Sequence, residues 1–253
     1  MKYPHGVLLV GLALGISAVN AGEQTAKAAW TQLVGNQAER PMYAFVEPKP
    51  ELPNVLIYGD SISIGYTVGV REALADRANV FRIHRNGGSS VGVITILEQL
   101  ESTMRDPALT DAWDFAWDVI HLNVGLHDLK YVNDQNKLDL ENGKQIASIA
   151  EYQANLRRSI AHLQQIAPDA KLIFALTTKV PAESNGRHEN GELAYNAAAL
   201  EVLKRHPEIA VNDLRTASLP WEQPGNVHFK PDGIAAQAEH VAKVIASHLP
   251  AKP

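Results

Sequence analysis

Val55-Leu56-Ile57-Tyr58-Gly59-Asp60-Ser61-Ile62-Ser63-Ile64-Gly65 is the stretch on which the reading of this chain turns. An apolar run with β-branched residues suits a buried strand, and it stops at a Gly-Asp-Ser turn. That places one hydroxyl, Ser61, at the carboxyl edge of a sheet, where open α/β sheets build their sites. A serine there can serve as a nucleophile if a histidine arrives from elsewhere in the chain. The candidate comes late, as His228 in Asn226-Val227-His228-Phe229, beside a loop with Pro and Gly. Gly-Asp-Ser also makes ordinary turns, and Ser and Asp are favoured at helix N-termini. The weight therefore rests on the combination, with Ser preceding His in an alternating α/β chain.

That alternation extends outward in both directions from Ser61. Strands are expected over 55–58, 79–84, 117–124, 171–177 and 209–214, with helices over 65–74, 91–104, 146–166, 193–204 and 235–249. Short apolar strands separated by helical stretches imply βαβ units and a mostly parallel sheet covered on both faces. Residues 22–52 read as a lead-in, helical or loose, with Pro48, Pro50 and Pro53 marking an extended approach to the first strand. One domain is expected over 53–253. Two polar segments, Lys130 to Lys144 and Ala182 to Glu192, leave the carboxyl ends of predicted strands. Loops of that length in a compact domain are usually functional, and these two are expected to wall a substrate cleft.

The chain has 253 residues and a formal net charge of -5, enough for one substantial core. No basic stripe or basic-aromatic interleaving points to nucleic acid. Lys2 and His5 precede an apolar run from Val7 to Val19, and Val19-Asn20-Ala21 supplies small residues at a cleavage spacing. Residues 1–21 read as a secretory signal peptide, leaving Gly22 as the new N-terminus. The run is short for a bilayer span, which wants roughly 20 residues, so no stable membrane insertion is expected after cleavage. The chain has no Cys, which excludes disulfides and a lipid-modified N-terminal cysteine. A periplasmic or secreted monomer is expected. The histidines lack paired ligand spacing, so neither a metal nor another cofactor is expected.

Four short blocks fall at strand ends in order: Gly59-Asp60-Ser61, Asn86-Gly87-Gly88-Ser89-Ser90, Asn123-Val124-Gly125-Leu126-His127-Asp128 and His228-Phe229. This arrangement resembles the SGNH (GDSL-like) hydrolase superfamily, over about Pro53 to Leu249. The strings from Tyr58 to Thr67 and from Trp117 to Lys130 look like a bacterial esterase branch often associated with polysaccharide metabolism. The resemblance implies a flavodoxin-like three-layer α/β/α sandwich with a five-stranded parallel sheet. It also implies ester hydrolysis with Ser61 as nucleophile and His228 as general base. Backbone N–H groups of Ser61 and Gly88 would line an oxyanion hole, with Gly87 as the fallback if the loop register differs by one.

Two departures from the superfamily pattern bear on the chemistry. Members usually carry Gly-x-Asn-Asp, the asparagine donating to the oxyanion; here the sequence is Gly125-Leu126-His127-Asp128. A neutral His127 can donate one N–H, and Asn123 is a rival near the same strand end. Asp128 is expected to hold the turn through side-chain to backbone bonds. The superfamily also usually places Asp three residues before the histidine, where this chain has Gly225, and Asn226 two before cannot ionise. Three arrangements stand open: a Ser–His dyad with a backbone carbonyl orienting the ring, Glu222 as the acid partner, or an inactive relative.

Among other polar residues, His121 is expected to be a hydrogen-bonded core residue, and His84 is ambiguous. Trp30, Trp113, Trp117 and Trp221 are expected to pack, with Trp221 close enough to His228 to line a sugar pocket. The branch resemblance and the exported address together imply a short acyl ester as substrate, an O-acetyl group on a carbohydrate. A lipid-directed esterase or thioesterase and a non-catalytic glycan-binding relative are the alternatives.

Overall fold

Val55 to Tyr58 lie at the heart of β1 (Asn54–Gly59), every residue of which is buried. The computed structural model describes residues 24–250; the expected signal peptide lies outside them. Four further parallel strands flank β1: β2 (Asn79–Arg82), β3 (Val119–Asn123), β6 (Lys171–Ala175) and β7 (Ala210–Asn212). The spatial order β2-β1-β3-β6-β7 is the doubly wound order of a flavodoxin-like sheet. Near-continuous apolar strands are what a sheet covered on both faces requires. The cover comes from α2 (Ser61–Ala73) packed with α7 (Pro231–Ala246) and α6 (Leu214–Ser218), and from α3 (Val93–Met104), α4 (Ile149–Ile166) and α5 (Glu192–Leu203). The result is the expected three-layer α/β/α sandwich.

Chain direction changes side at β1, since the chain first crosses to β2 and then returns to β3. Ligands of such sheets bind outside the carboxyl ends at that crevice. In the β1–β3 register Gly59 lies opposite Asn123, so the turns after both strands emerge side by side. Ser61 follows one of these turns and His127 sits in the other.

Some element boundaries moved for definable reasons. The helix expected from Gly65 begins at Ser61, because the Asp60 carboxylate accepts from Ile62 N at 2.9 Å and caps it. The helix expected from Ile146 begins at Ile149, where Ser148 and Glu151 form a capping box. Residues 26–34 form α1 (Ala26–Val34), whose Trp30 donates to Tyr43 O at 2.7 Å. Trp30 lies 6.3 Å from Trp113, which stands 4.9 Å from Phe81 and 5.7 Å from Trp117. The lead-in thus contributes to the same core as the strands, while Trp221 is 41% exposed. Within the segment Lys130 to Lys144 the chain forms an antiparallel ribbon, β4 (Tyr131–Val132) with β5 (Lys144–Gln145). Tyr131 N donates to Gly186 O at 2.8 Å, so the two long polar segments are joined. Among the described residues no helix is long and apolar enough to cross a membrane.

Candidate active site

Ser61 is the first residue of α2, so its own N–H has no intrahelical partner and the helix dipole favours negative charge beside it. The turn that presents it is held from below by Arg82. This guanidinium is fully buried and donates Nη2 to Gly59 O (3.0 Å), Asp60 O (3.2 Å) and Ser63 Oγ (2.8 Å). Its Nη1 reaches Ile83 O at 3.2 Å and Arg85 O at 3.0 Å, and it lies over the Tyr43 ring. A buried charge is tolerable when its forked nitrogens are satisfied in this way, although the buried Nε has no partner among the described residues. Asp60 is sealed beneath the turn, and burial pushes its carboxyl up to about 6 against the Ile62 N–H bond and the Arg82 charge.

His228 comes from the loop ahead of α7 and meets Ser61, its Nε2 lying 2.9 Å from Ser61 Oγ. Asn226 Oδ1 lies 3.2 Å from His228 Nδ1 and accepts from the His228 backbone N–H at 3.0 Å. That second bond matters. A backbone N–H can only donate, so it fixes the amide with its oxygen toward the ring. The ring must then carry its proton on Nδ1, leaving Nε2 free to accept from Ser61. Asparagine here avoids the wrong tautomer that an unanchored amide could impose. Glu222 is elsewhere, paired with Lys179 Nζ at 2.8 Å. Neither the backbone-oriented dyad nor a Glu222 partner is what the geometry contains: the acceptor is the Asn226 side chain, which orients the ring without ionising. The signal for it was present, since an amide two residues before a histidine can bond both ring and backbone.

The proposed oxyanion donors separate. Gly87 N–H donates to Gly59 O at 3.0 Å, which engages it in the sheet extension. Gly88 has φ +61°, a conformation that favours glycine, and its N–H donates to Asn86 Oδ1 at 2.9 Å. An incoming oxyanion would compete with that side-chain acceptor. Asn123 is buried and donates Nδ2 to Ala175 O at 2.9 Å, bridging β3 to β6. His127 is different. Lys130 Nζ, which has donors only, lies 3.2 Å from His127 Nδ1, so the proton resides on Nε2. Burial first, then Lys130, Arg187 and His228, lower the His127 pKa to about 3. A neutral ring with one fixed N–H donor is the form that can replace an asparagine amide.

Asp128 does not serve its own turn through its side chain as expected. Its carboxylate accepts from Ser90 N at 3.0 and 3.1 Å and from Ser90 Oγ. It thereby ties the loop carrying Gly88 to the turn carrying His127. Asn155 on α4 donates Nδ2 to the same Ser90 Oγ at 3.0 Å. His121 is a buried core residue, 3.0 Å from Asn212 Nδ2 through Nε2. His84 is buried with Nε2 3.2 Å from Gln99 Oε1. A cleft of about 700 Å³ lined by Pro50, Arg77, Asp118 and Leu249 opens at the amino edge of the sheet, away from this chemistry.

The close approach of the Gly88 loop to β1 depends on Gly87. A Cβ there would lie 2.7 Å from both Gly59 O and Tyr58 Cε1. Gly87→Ala is expected to destabilise the fold by about 1–3 kcal/mol, as overpacking commonly does, and to displace Gly88. Urea unfolding midpoints of the two proteins would check this; an unchanged midpoint would contradict the contact.

The sequence matches the GDSL-like Lipase/Acylhydrolase family model over residues 57–236. The chain belongs to that family, and at this level it is an ester hydrolase. No curated protein matches it significantly in sequence. Among solved structures it is similar to a family 2 carbohydrate esterase with a carbohydrate-binding domain from Corynascus thermopiles (Myceliophthora fergusii), at 16% identity and TM-score 0.57, covering 81% of this chain and 68% of that one. A lipase/acylhydrolase from Enterococcus faecalis is similar at 16% identity and TM-score 0.56, covering 80% of this chain and 100% of that one. An acetylxylan esterase from Geobacillus stearothermophilus is similar at 15% identity and TM-score 0.55, covering 76% of this chain and 94% of that one. At these identities the likeness establishes the fold.

Proposed function

We propose that this protein is an exported serine esterase that removes short acyl groups, O-acetyl first, from carbohydrates. The observation that carries the reading is the chain of contacts from Ser61 Oγ to His228 Nε2 (2.9 Å) and from His228 Nδ1 to Asn226 Oδ1 (3.2 Å). In this reading Ser61 Oγ attacks the ester carbonyl while His228 Nε2 takes its proton. The imidazolium is supported at Nδ1–H by the Asn226 carbonyl. Negative charge on the former carbonyl oxygen meets the N–H groups of Ser61 and Gly88 and the His127 Nε2–H. His228 then protonates the leaving alcohol, and afterwards draws a proton from the water that releases the acyl group.

Carbohydrate is favoured over lipid by the openness of the site, for His228 is exposed and Ser61 half-buried at the molecular surface. Such a site suits a small acyl group projecting from a large molecule. Trp221, exposed on the turn ahead of the His228 loop, offers a flat face for a sugar ring. The acetylxylan and family 2 carbohydrate esterases among proteins of like fold support the same choice. Export rests on the leader-like sequence from Lys2 to Ala21. The non-catalytic alternative is motivated by the missing Asp and by His127 at the asparagine position; the Asn226 contact to the ring and the neutral, Nε2-protonated His127 weigh against it. Acetate release from aryl acetate, set beside butyrate and octanoate release from the matching esters, tests the reading. Rates that fall with acyl length support it; octanoate outrunning acetate would favour a lipid-directed enzyme.

The base also carries a pH prediction. Burial and then the Arg187 charge lower the His228 pKa from 6.5. A general base works in its neutral form, so the acid limb of kcat/KM is expected below pH 6.5. Asn226→Asp would place a carboxylate at Nδ1, which favours the protonated ring and should move that limb upward by about 1 unit or more. A limb unmoved in the variant would mean that residue 226 does not contact the ring.

A further inference from the structure

Two cations crowd this site, and neither is paired with an acid among the described residues. Lys130 bonds His127 Nδ1, and Arg187 reaches the same turn from the segment Ala182 to Glu192. Arg187 donates Nε to Leu126 O at 3.1 Å and Nη1 to Asn185 O at 3.3 Å. Its Nη2 makes no hydrogen bond to the described residues and is not sealed from solvent. Among the described residues, ion pairs occupy Arg105, Lys179, Lys204, His206 and Arg215, and neither Lys130 nor Arg187 is in one.

Each feature has a plain structural use, a loop staple for Arg187 and a tautomer lock for Lys130. Those uses do not account for the charges. Arg187 disfavours the positive form of Lys130, of His127 and of His228, so it stands within electrostatic reach of all three. Asp60 is the negative group whose charge reaches both cations, and Asp128 acts on Lys130 as well, but both are fully buried and turned into the protein, Asp60 toward Ile62 N and Asp128 toward Ser90. Like charges held together in a partly desolvated site are unfavourable unless something of opposite sign completes them. The whole chain carries a formal charge of -5, so two unpaired cations on the open side of one site, with the carboxylates sealed behind them, run against the average.

We propose that the ester this site takes is borne on an anionic sugar, whose carboxylate is held by Arg187 Nη2 and Lys130 Nζ beside the scissile acyl group. The inference rests on the esterase reading above and names its substrate class: O-acylated units that carry a carboxylate, as a uronate does. A guanidinium is suited to a carboxylate by its planar fork. The ammonium of Lys130 adds charge on the side of His127.

The test compares acetate release from an O-acetylated methyl glucuronoside and from the corresponding neutral glucoside. Wild type, Arg187→Gln and Arg187→Lys are each measured at low and high salt, with aryl acetate as a third substrate. Wild type is expected to favour the acidic sugar in kcat/KM by roughly tenfold or more, the scale of one charge-assisted hydrogen bond. Salt should reduce the preference. Arg187→Gln should bring the ratio close to one, while Arg187→Lys, which loses the staple's fork but keeps the charge, should retain part of it. Free glucuronate should inhibit aryl acetate hydrolysis by wild type competitively, and glucose should not, a measurement that does not depend on any variant folding. A wild-type ratio near one, with aryl acetate still cleaved, would overturn this proposal and leave the esterase intact. An equal fall on both sugars in Arg187→Gln, with the ratio preserved, would also overturn it, assigning the cation to the oxyanion or the loop. Absence of hydrolysis of all three substrates would bring down the esterase reading and this inference with it.

Discussion

Ser61→Ala is expected to lower ester hydrolysis by roughly 10³–10⁶-fold, the range seen when a nucleophile is removed from a Ser–His unit. The loss would be chemical and not structural. Alanine is a good helix former, Ser61 is half-buried, and the helix cap belongs to Asp60, whose carboxylate accepts from Ile62 N at 2.9 Å. Because the hydroxyl and the imidazole act as one unit, His228→Ala should cost about as much, and the double variant little more. Residual hydrolysis would come from the oxyanion donors. Acetate release with circular dichroism as a folding control measures this. A Ser61→Ala protein within tenfold of wild type would place the chemistry on another residue.

The second large effect is expected at His127. If its Nε2–H meets the oxyanion, His127→Ala should reduce kcat by about 10²–10³, as loss of one such donor does, with a smaller change in KM. His127→Asn restores the superfamily pattern and should recover most of that loss, since an amide N–H is again available. The His127 pKa of about 3 means that its own titration adds no step to the pH profile near neutrality. Were the alanine variant to keep wild-type kcat, the donor role would pass to backbone N–H groups alone, for Asn123 is engaged with Ala175 O.

Much of this was readable from the chain because its strands are unambiguous. Val55 to Tyr58 and Ile173 to Ala175 are continuous apolar runs, and a run with no polar face has few places to go except a doubly covered sheet. Boundaries were less legible where side chains decided them, as at Ser148 and Glu151, whose capping box lies within the residues 146–166 expected to be helical. The ribbon of Tyr131–Val132 with Lys144–Gln145 has no apolar alternation. It is held by loop hydrogen bonds such as Tyr131 N to Gly186 O, which no local pattern announces.

Ser61 and His228 were legible as types, since few residues do that chemistry. The residues that position them were not. Arg82 sits in an ordinary strand sequence, and nothing local says that its guanidinium turns to hold Gly59 O and Asp60 O. Arg187 lies 61 residues from Leu126, the carbonyl it bonds, and only the fold brings them together. Asn226 is hard to read from sequence for a different reason: an amide carries no charge to mark it, whereas the ring requires only an acceptor fixed in direction.

The most direct test of the Ser61–His228 assignment is covalent capture with an aryl fluorophosphonate followed by peptide mass mapping. A single adduct is expected on Ser61 in wild type and its loss in His228→Ala, since the imidazole 2.9 Å away would activate the hydroxyl. An adduct on another serine, or labelling of Ser61 that persists at the same rate without His228, would contradict it.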